Sequence, residues 1–143
     1  MDKNILLKAL DDDRNDNLLD FNSHKLKEMT LNILKELQLP KKKTLEIYKK
    51  LKDYRYVTDI KDLKYGTFLR WIPIEDPENI YLSKGAAIFC EININEKGVF
   101  CVCKNIGYGA RHFQLNMGKN LLFQKLTDQE LVLLAALDYL YDK

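Results

Sequence analysis

The residues of this chain whose types best suit chemistry are its three cysteines and one of its two histidines. Cys101-Val102-Cys103 lies one hairpin away from Cys90, and with His112 the set would supply the thiolate and imidazole donors of a tetrahedral zinc site. Structural zinc sites, however, take cysteines in pairs on a tight knuckle turn, whereas Cys-x-Cys inside a strand reads as small apolar side chains facing a core. A nucleophilic cysteine would need an exposed, electropositive setting and an adjacent base. The expectation is three buried thiols, no metal, no cofactor and no catalytic residue.

Other stretches that invite a chemical reading fail on their spacing. Asp11, Asp13 and Asn15 sit at the first, third and fifth positions of a calcium loop, but Asp16 stands where the sharp turn needs glycine and Asn22 where a bidentate Glu belongs. Gly107-Tyr108-Gly109-Ala110-Arg111 lacks the third glycine of a dinucleotide loop, and no helix follows it to present its N-terminus to phosphate. Glu75, Asp76 and Glu78 share a loop without the spacing of an acid–base pair. The chain reads as a non-catalytic protein.

Charge is the stronger signal. Residues 1–40 carry six Lys/Arg against eight Asp/Glu, residues 41–70 ten against four, and residues 71–143 seven against nine. The net +2 therefore hides a basic middle between mildly acidic flanks. There Lys42, Lys43, Lys49, Lys50 and Arg55 would meet phosphates, and Tyr54 or Tyr56 would stack on bases, if the partner were a nucleic acid. The competing reading is a solvated helix face beside aromatics that fill a core.

The elements that position these residues follow from periodicity. Leu26, Met29, Thr30, Ile33, Leu34 and Leu37 make one stripe of a helix opened by Ser23 as N-cap and closed by Pro40. A second helix over residues 41–53 turns Leu45, Tyr48 and Leu51 inward, giving a helical hairpin that also fits a helix-turn-helix. Residues 54–58 form a linking strand or turn. Strands then follow at 67–74, 86–94, 99–106, 111–116 and 121–125, with Pro73 and Pro77 placing the end of the first at a sheet edge. Asn95-Glu96-Lys97-Gly98 closes one hairpin; with Ile94 opposite Val99, Cys90 faces Cys103 and all three cysteines share the isoleucine face. Met117-Gly118-Lys119-Asn120 closes a second hairpin. Thr127-Asp128-Gln129-Glu130 has capping-box spacing before a helix that is apolar nearly all round, buried between the sheet and the first helices or at a subunit interface.

The fold expected is α+β: an N-terminal helical region (1–57), a five-stranded antiparallel SH3-like small barrel (58–126) and a C-terminal helix (127–143) on the same core, with an open sheet as the alternative. A chain of this length buries roughly 70% of its unfolded surface and needs no disulfide to fold. Its odd cysteine count fits a reducing compartment, its start lacks the pattern of a secretory signal, and its longest apolar run is far too short to span a membrane. The location expected is cytoplasmic or nuclear, with no membrane partner.

Leu63-Lys64-Tyr65-Gly66-Thr67-Phe68-Leu69-Arg70-Trp71-Ile72, followed by Leu82-Ser83-Lys84-Gly85, Arg111-His112-Phe113-Gln114-Leu115 and Leu122-Phe123-Gln124-Lys125, resembles a family of small barrel proteins of unknown function encoded by large double-stranded DNA viruses and some phages. The resemblance covers about 60 residues. It implies a viral accessory or virion-associated protein, in host cytoplasm or virion, and supplies no active site. Gly66 and Gly85 are then expected to serve backbone geometry, and Arg70 and Trp71 to serve a barrel-rim contact or core closure. The function expected is a binding or assembly module acting through a protein partner or self-association, with nucleic-acid binding through residues 41–71 as the alternative and an enzyme with an unrecognised site as a further one.

Overall fold

A computed structural model describes residues 3–11, 22–107, 109 and 111–141, the last of these by its backbone alone. Most of the acidic run compared with a calcium loop, including Asp13, Asn15 and Asp16, lies outside the described residues, as do Tyr108 and Ala110. The chain is α+β. Helices α1 (Lys3–Asp11), α2 (Ser23–Glu36) and α3 (Lys41–Lys50) precede strands β1 (Tyr54–Tyr56), β2 (Phe68–Pro73), β3 (Ala87–Asn95), β4 (Gly98–Asn105), β5 (His112–Asn116) and β6 (Asn120–Lys125), and α4 (Asp128–Tyr141) follows. Among the described residues no helix is long and apolar enough to cross a membrane.

The six strands form one antiparallel sheet in the order β1-β6-β2-β3-β4-β5, open rather than closed. Five strands were expected. The sixth is Tyr54–Tyr56, too short to show a period of two, which earns its place by pairing with β6. The turn after Asn116 does not close a paired hairpin either: β5 pairs with β4, and β6 runs between β1 and β2.

The sheet is strongly curled. Adjacent strands lie about 4.8 Å apart, so in a flat sheet β2 and β5 would stand about 14 Å from each other. Yet the rings of Trp71 on β2 and Phe113 on β5 have centroids only 5.5 Å apart. Leu69, Ala87, Phe89, Cys101, Cys103, Leu115 and Leu122 fill the concave side. On the opposite face Ile72, Leu121 and Phe123 pack against Leu34 of α2 and Ile47 and Leu51 of α3.

A β-bulge shapes the curl and corrects the expected cysteine register. Ile94 pairs with Val99 and Ile92 with Cys101 as anticipated, but Phe89 rather than Cys90 pairs with Cys103, because Cys90 is the extra residue between Phe89 and Glu91. Side chains before and after a bulge are rephased by one position. Phe89 therefore shares the core with Cys101 and Cys103, while the Cys90 thiol turns back towards the Ile88 carbonyl, 3.7 Å away.

Pro73 is not at an edge, since β2 is an interior strand, but it sits where β3 has already departed. Trp71, two residues earlier, directs its carbonyl to the Ser83 N–H at 2.8 Å on that same side. The donor that proline lacks thus falls where no strand needs it.

The helices differ from expectation in detail. Asn22, not Ser23, is the N-cap of α2, its Oδ1 accepting from Lys25 N at 2.8 Å. Helix α3 buries Ile47 and leaves Leu45 44% exposed, because its docking on the sheet selects the stripe that continues into Leu51. Thr127 and Glu130 form the anticipated reciprocal cap: Thr127 N donates to Glu130 Oε1 at 2.9 Å and Glu130 N to Thr127 Oγ1 at 3.1 Å. Helix α4 then packs Leu133 and Leu134 against Ala9 and Leu26, while Tyr139 and Leu140 stay exposed.

Candidate functional site

The residues singled out by type divide into three groups. The cysteines and His112 are not brought together. Cys101 and Cys103 are fully buried on the concave side, Cys90 is half-buried outside that core, and His112 is exposed on the outer strand opposite Lys104. The hydrogen bond to Cys101, and then burial, push the Cys103 thiol up from its ordinary value. Among the described residues no three His, Cys, Asp or Glu side chains gather to hold a metal ion.

The second group is built inward. Arg55, assigned above to phosphates, is 2% exposed and lies 3.6 Å from Asp62, so its guanidinium serves the interior of this fold instead of its surface. Around it runs a polar network that no spacing in the sequence announces. Gln124 Nε2 donates to the Asp62 carbonyl at 2.8 Å, and its Oε1 accepts from Lys64 N at 2.8 Å. Lys64 Nζ in turn stands 3.0 Å from Glu130 Oε2. Arg70 reaches the Ser83 carbonyl at 2.6 Å and the Lys50 carbonyl at 3.4 Å, placing a cation at the C-terminal end of α3, where the helix dipole favours one. Trp71 closes the curl of the sheet and is half-buried there. Gly66 has the positive φ (+83°) that its turn requires, whereas Gly85 does not, and a Cβ added there meets nothing within 4 Å.

The third group converges on a cleft of about 540 Å³ between α2, the end of α3, β1 and α4. Leu26, Leu51, Leu126 and Leu134 make its apolar floor, all four of them buried. Lys27, Lys49 and Lys52 stand exposed at its rim, with Tyr48 and Tyr54 half-buried along the wall. Burial raises the Tyr54 phenol above 10.0 against the opposing pull of Arg70. Two features fix the walls. Asp53 adopts φ +64° to turn the chain out of α3, and its carbonyl accepts from Leu126 N at 2.8 Å. Asp138 of α4 accepts from Ser23 N at 2.8 Å, holding the first turn of α2 against α4. The expected basic and aromatic stretch thus contributes Lys49 and Tyr54 to this cleft. Lys42, Lys43 and Lys50 lie exposed on α3 outside it, and Tyr56 packs on Phe123 with ring centroids 5.6 Å apart.

A cavity of this size, apolar below and with three lysines at the mouth, suits an apolar group carried by an anionic partner. Sequence reasoning missed it because its floor draws on positions a hundred residues apart. The single local hint was the apolar surplus of α4, more than one packing face requires. Comparison with family models, with curated proteins and with solved structures finds no match for the chain.

Proposed function

We propose that this chain is a non-catalytic binding or assembly module that works through protein–protein contacts, with the cleft between α2, α3 and α4 as its docking site. The observation that carries the reading is the combination in one cleft of a leucine floor with Lys27, Lys49 and Lys52 at the rim. An amphipathic acidic segment fits that chemistry, with apolar residues at helical spacing entering the cleft and carboxylates meeting the lysines. The curled sheet supports the SH3-like reading as well. Its first strand pairs with its last, and β2 to β5 run beside them as a meander. The resemblance over residues 63–126 is what supports a viral accessory or virion-associated setting.

The test is selection of displayed peptides on the immobilised protein, followed by titration of a selected peptide into isotope-labelled protein. Selected peptides should combine apolar residues three and four apart with Asp or Glu, and should shift amides along α2 and α4. Leu131→Asp and Lys52→Glu, both exposed at the cleft, should weaken binding at least tenfold, about 1.4 kcal/mol. Shifts confined to other surfaces, or binding indifferent to both substitutions, would refute the proposal.

A second reading rests on α3 itself, where Lys42, Lys43 and Lys50 are all exposed and lie outside the cleft. If nucleic acid is the partner, Lys42→Glu with Lys43→Glu weakens binding and reduces its salt slope, while Leu131→Asp leaves it unchanged.

A further inference from the structure

The two ends of the sheet are finished differently. At β1 the outer side is packed against α2, and Tyr56 beside it is drawn into the helix-facing core. Among the described residues no strand pairs with the outer side of β5, and Thr58, Asp59 and Ile60 stand across a cleft from Asn116 at its end. The parity of its hydrogen bonds identifies which groups face outward: Asn105 N donates to the Arg111 carbonyl and Met117 N to the Val99 carbonyl, so odd-numbered residues of this stretch bond to β4. The main-chain N–H and C=O of His112 and Gln114 therefore point away from the sheet, as does the Asn116 N–H, and the His112 and Gln114 side chains are exposed. Natural edges are usually guarded by lysine, proline, a bulge or a covering element. The strand His112-Phe113-Gln114-Leu115-Asn116 contains no lysine, no proline and no bulge.

Its sequence is also complementary to itself. A two-fold axis through Gln114 would place Gln114 opposite Gln114 of a second copy, His112 opposite Asn116, and Phe113 opposite Leu115. Polar side chains then meet polar ones on one face and apolar meet apolar on the other, and no like charges oppose each other. All of the outward backbone groups but the His112 N–H are matched too, since Gln114 exchanges N–H and C=O with its counterpart and the Asn116 N–H meets the His112 carbonyl. The Asn116 carbonyl, which would face the His112 N–H, already accepts from Lys119 N and from Asn120 Nδ2, each at 3.0 Å, so the His112 amide gains no bond in this pairing.

We infer that β5 is a self-association edge, on which a second copy of this chain adds its own β5 antiparallel and extends the sheet across a two-fold axis. A single pair of five-residue strands buries less than the about 1,200 Å² at the lower end of standard interfaces, so the dimer belongs to the transient, concentration-dependent class. This surface is separate from the α2–α4 cleft and does not depend on what the cleft binds.

Light scattering on the full chain over a concentration series, with amide hydrogen exchange, tests it. The mass should rise from 16.8 kDa towards twice that value, and the Gln114 and Asn116 amides should gain protection with concentration. Gln114 is exposed, so Gln114→Lys and Gln114→Glu leave the monomer folded, as the tryptophan emission will report. Each alone should raise the half-association concentration at least about tenfold by setting like charges opposite one another. An equimolar mixture of the two should pair again. A wild-type chain that stays monomeric at its highest soluble concentration overturns the inference. So does a dimer indifferent to both charges, or a mixture that fails to re-pair.

Discussion

Lys64 Nζ lies 3.0 Å from Glu130 Oε2, and Glu130 is fully buried. The pair joins the segment entering β2 to the first turn of α4, and Glu130 also closes the capping box with Thr127 through its other oxygen. One carboxylate therefore starts the last helix and docks it.

Glu130→Gln retains an acceptor for Thr127 N but deprives Lys64 of its carboxylate in the interior. The expected loss is about 3 kcal/mol, because removing one partner of a buried pair leaves the other charge uncompensated. Replacing both, Lys64→Met with Glu130→Gln, should recover at least half of that loss. Urea unfolding of the two single variants and the double variant measures the coupling; simple additivity would show that the pair does not act as a unit.

The thiols should separate by burial. Cys101 and Cys103 are fully buried, the latter with its thiol pushed up, while Cys90 is half-buried at the bulge. In the native protein a disulfide reagent such as DTNB should label one thiol per chain quickly and the remaining pair only as fast as the fold opens. Cys90→Ser should abolish the fast phase.

Tyr54 and Tyr56 are both raised from 10.0, each by burial first; Arg70 partly opposes this at Tyr54, and Glu36 adds to it at Tyr56. The folded protein thus holds these protons more tightly than the unfolded chain does. Their contribution to stability is fully present below about pH 10 and is lost as pH rises through the folded values. Tyrosinate absorbance should show a late-titrating component that Tyr54→Phe and Tyr56→Phe each reduce, and both variants should lose less stability between neutral and strongly alkaline pH.

Gln38 holds φ +55° just past the end of α2, where helices commonly end in glycine. A side chain in the left-handed region costs about 1 kcal/mol, and glycine returns part of it as unfolded-state entropy. Gln38→Gly should stabilise the protein by about 0.5 kcal/mol, read as an upward shift of the urea midpoint at unchanged slope.

The limits of five strands, the α2 stripe and the Thr127 cap were legible because each rests on local periodicity or a side chain meeting its own backbone nearby. What escaped was decided at a distance. Ile88, Cys90, Ile92 and Ile94 alternate without a break, so nothing local marks the residue at which the ladder slips. Leu45 and Ile47 are equally apolar, and only docking on β6 and β2 chooses between them. Arg55 among lysines and tyrosines looks like a surface cation until Asp62 is folded beside it. The cleft is assembled from helices at both ends of the chain, so Lys49 of its rim and Leu26 and Leu51 of its floor were legible singly, while their convergence with Leu126 and Leu134 was not.

The contact of Trp71 with Phe113 has an optical consequence. Trp71 is the only tryptophan of the chain, and it sits on the concave side where two strands separated by two others meet. Its emission is therefore a strain gauge for curvature: flattening the sheet would uncouple the rings and wet the indole before any strand need melt. A red shift that precedes loss of the far-ultraviolet dichroism would separate uncurling from unfolding in a single titration.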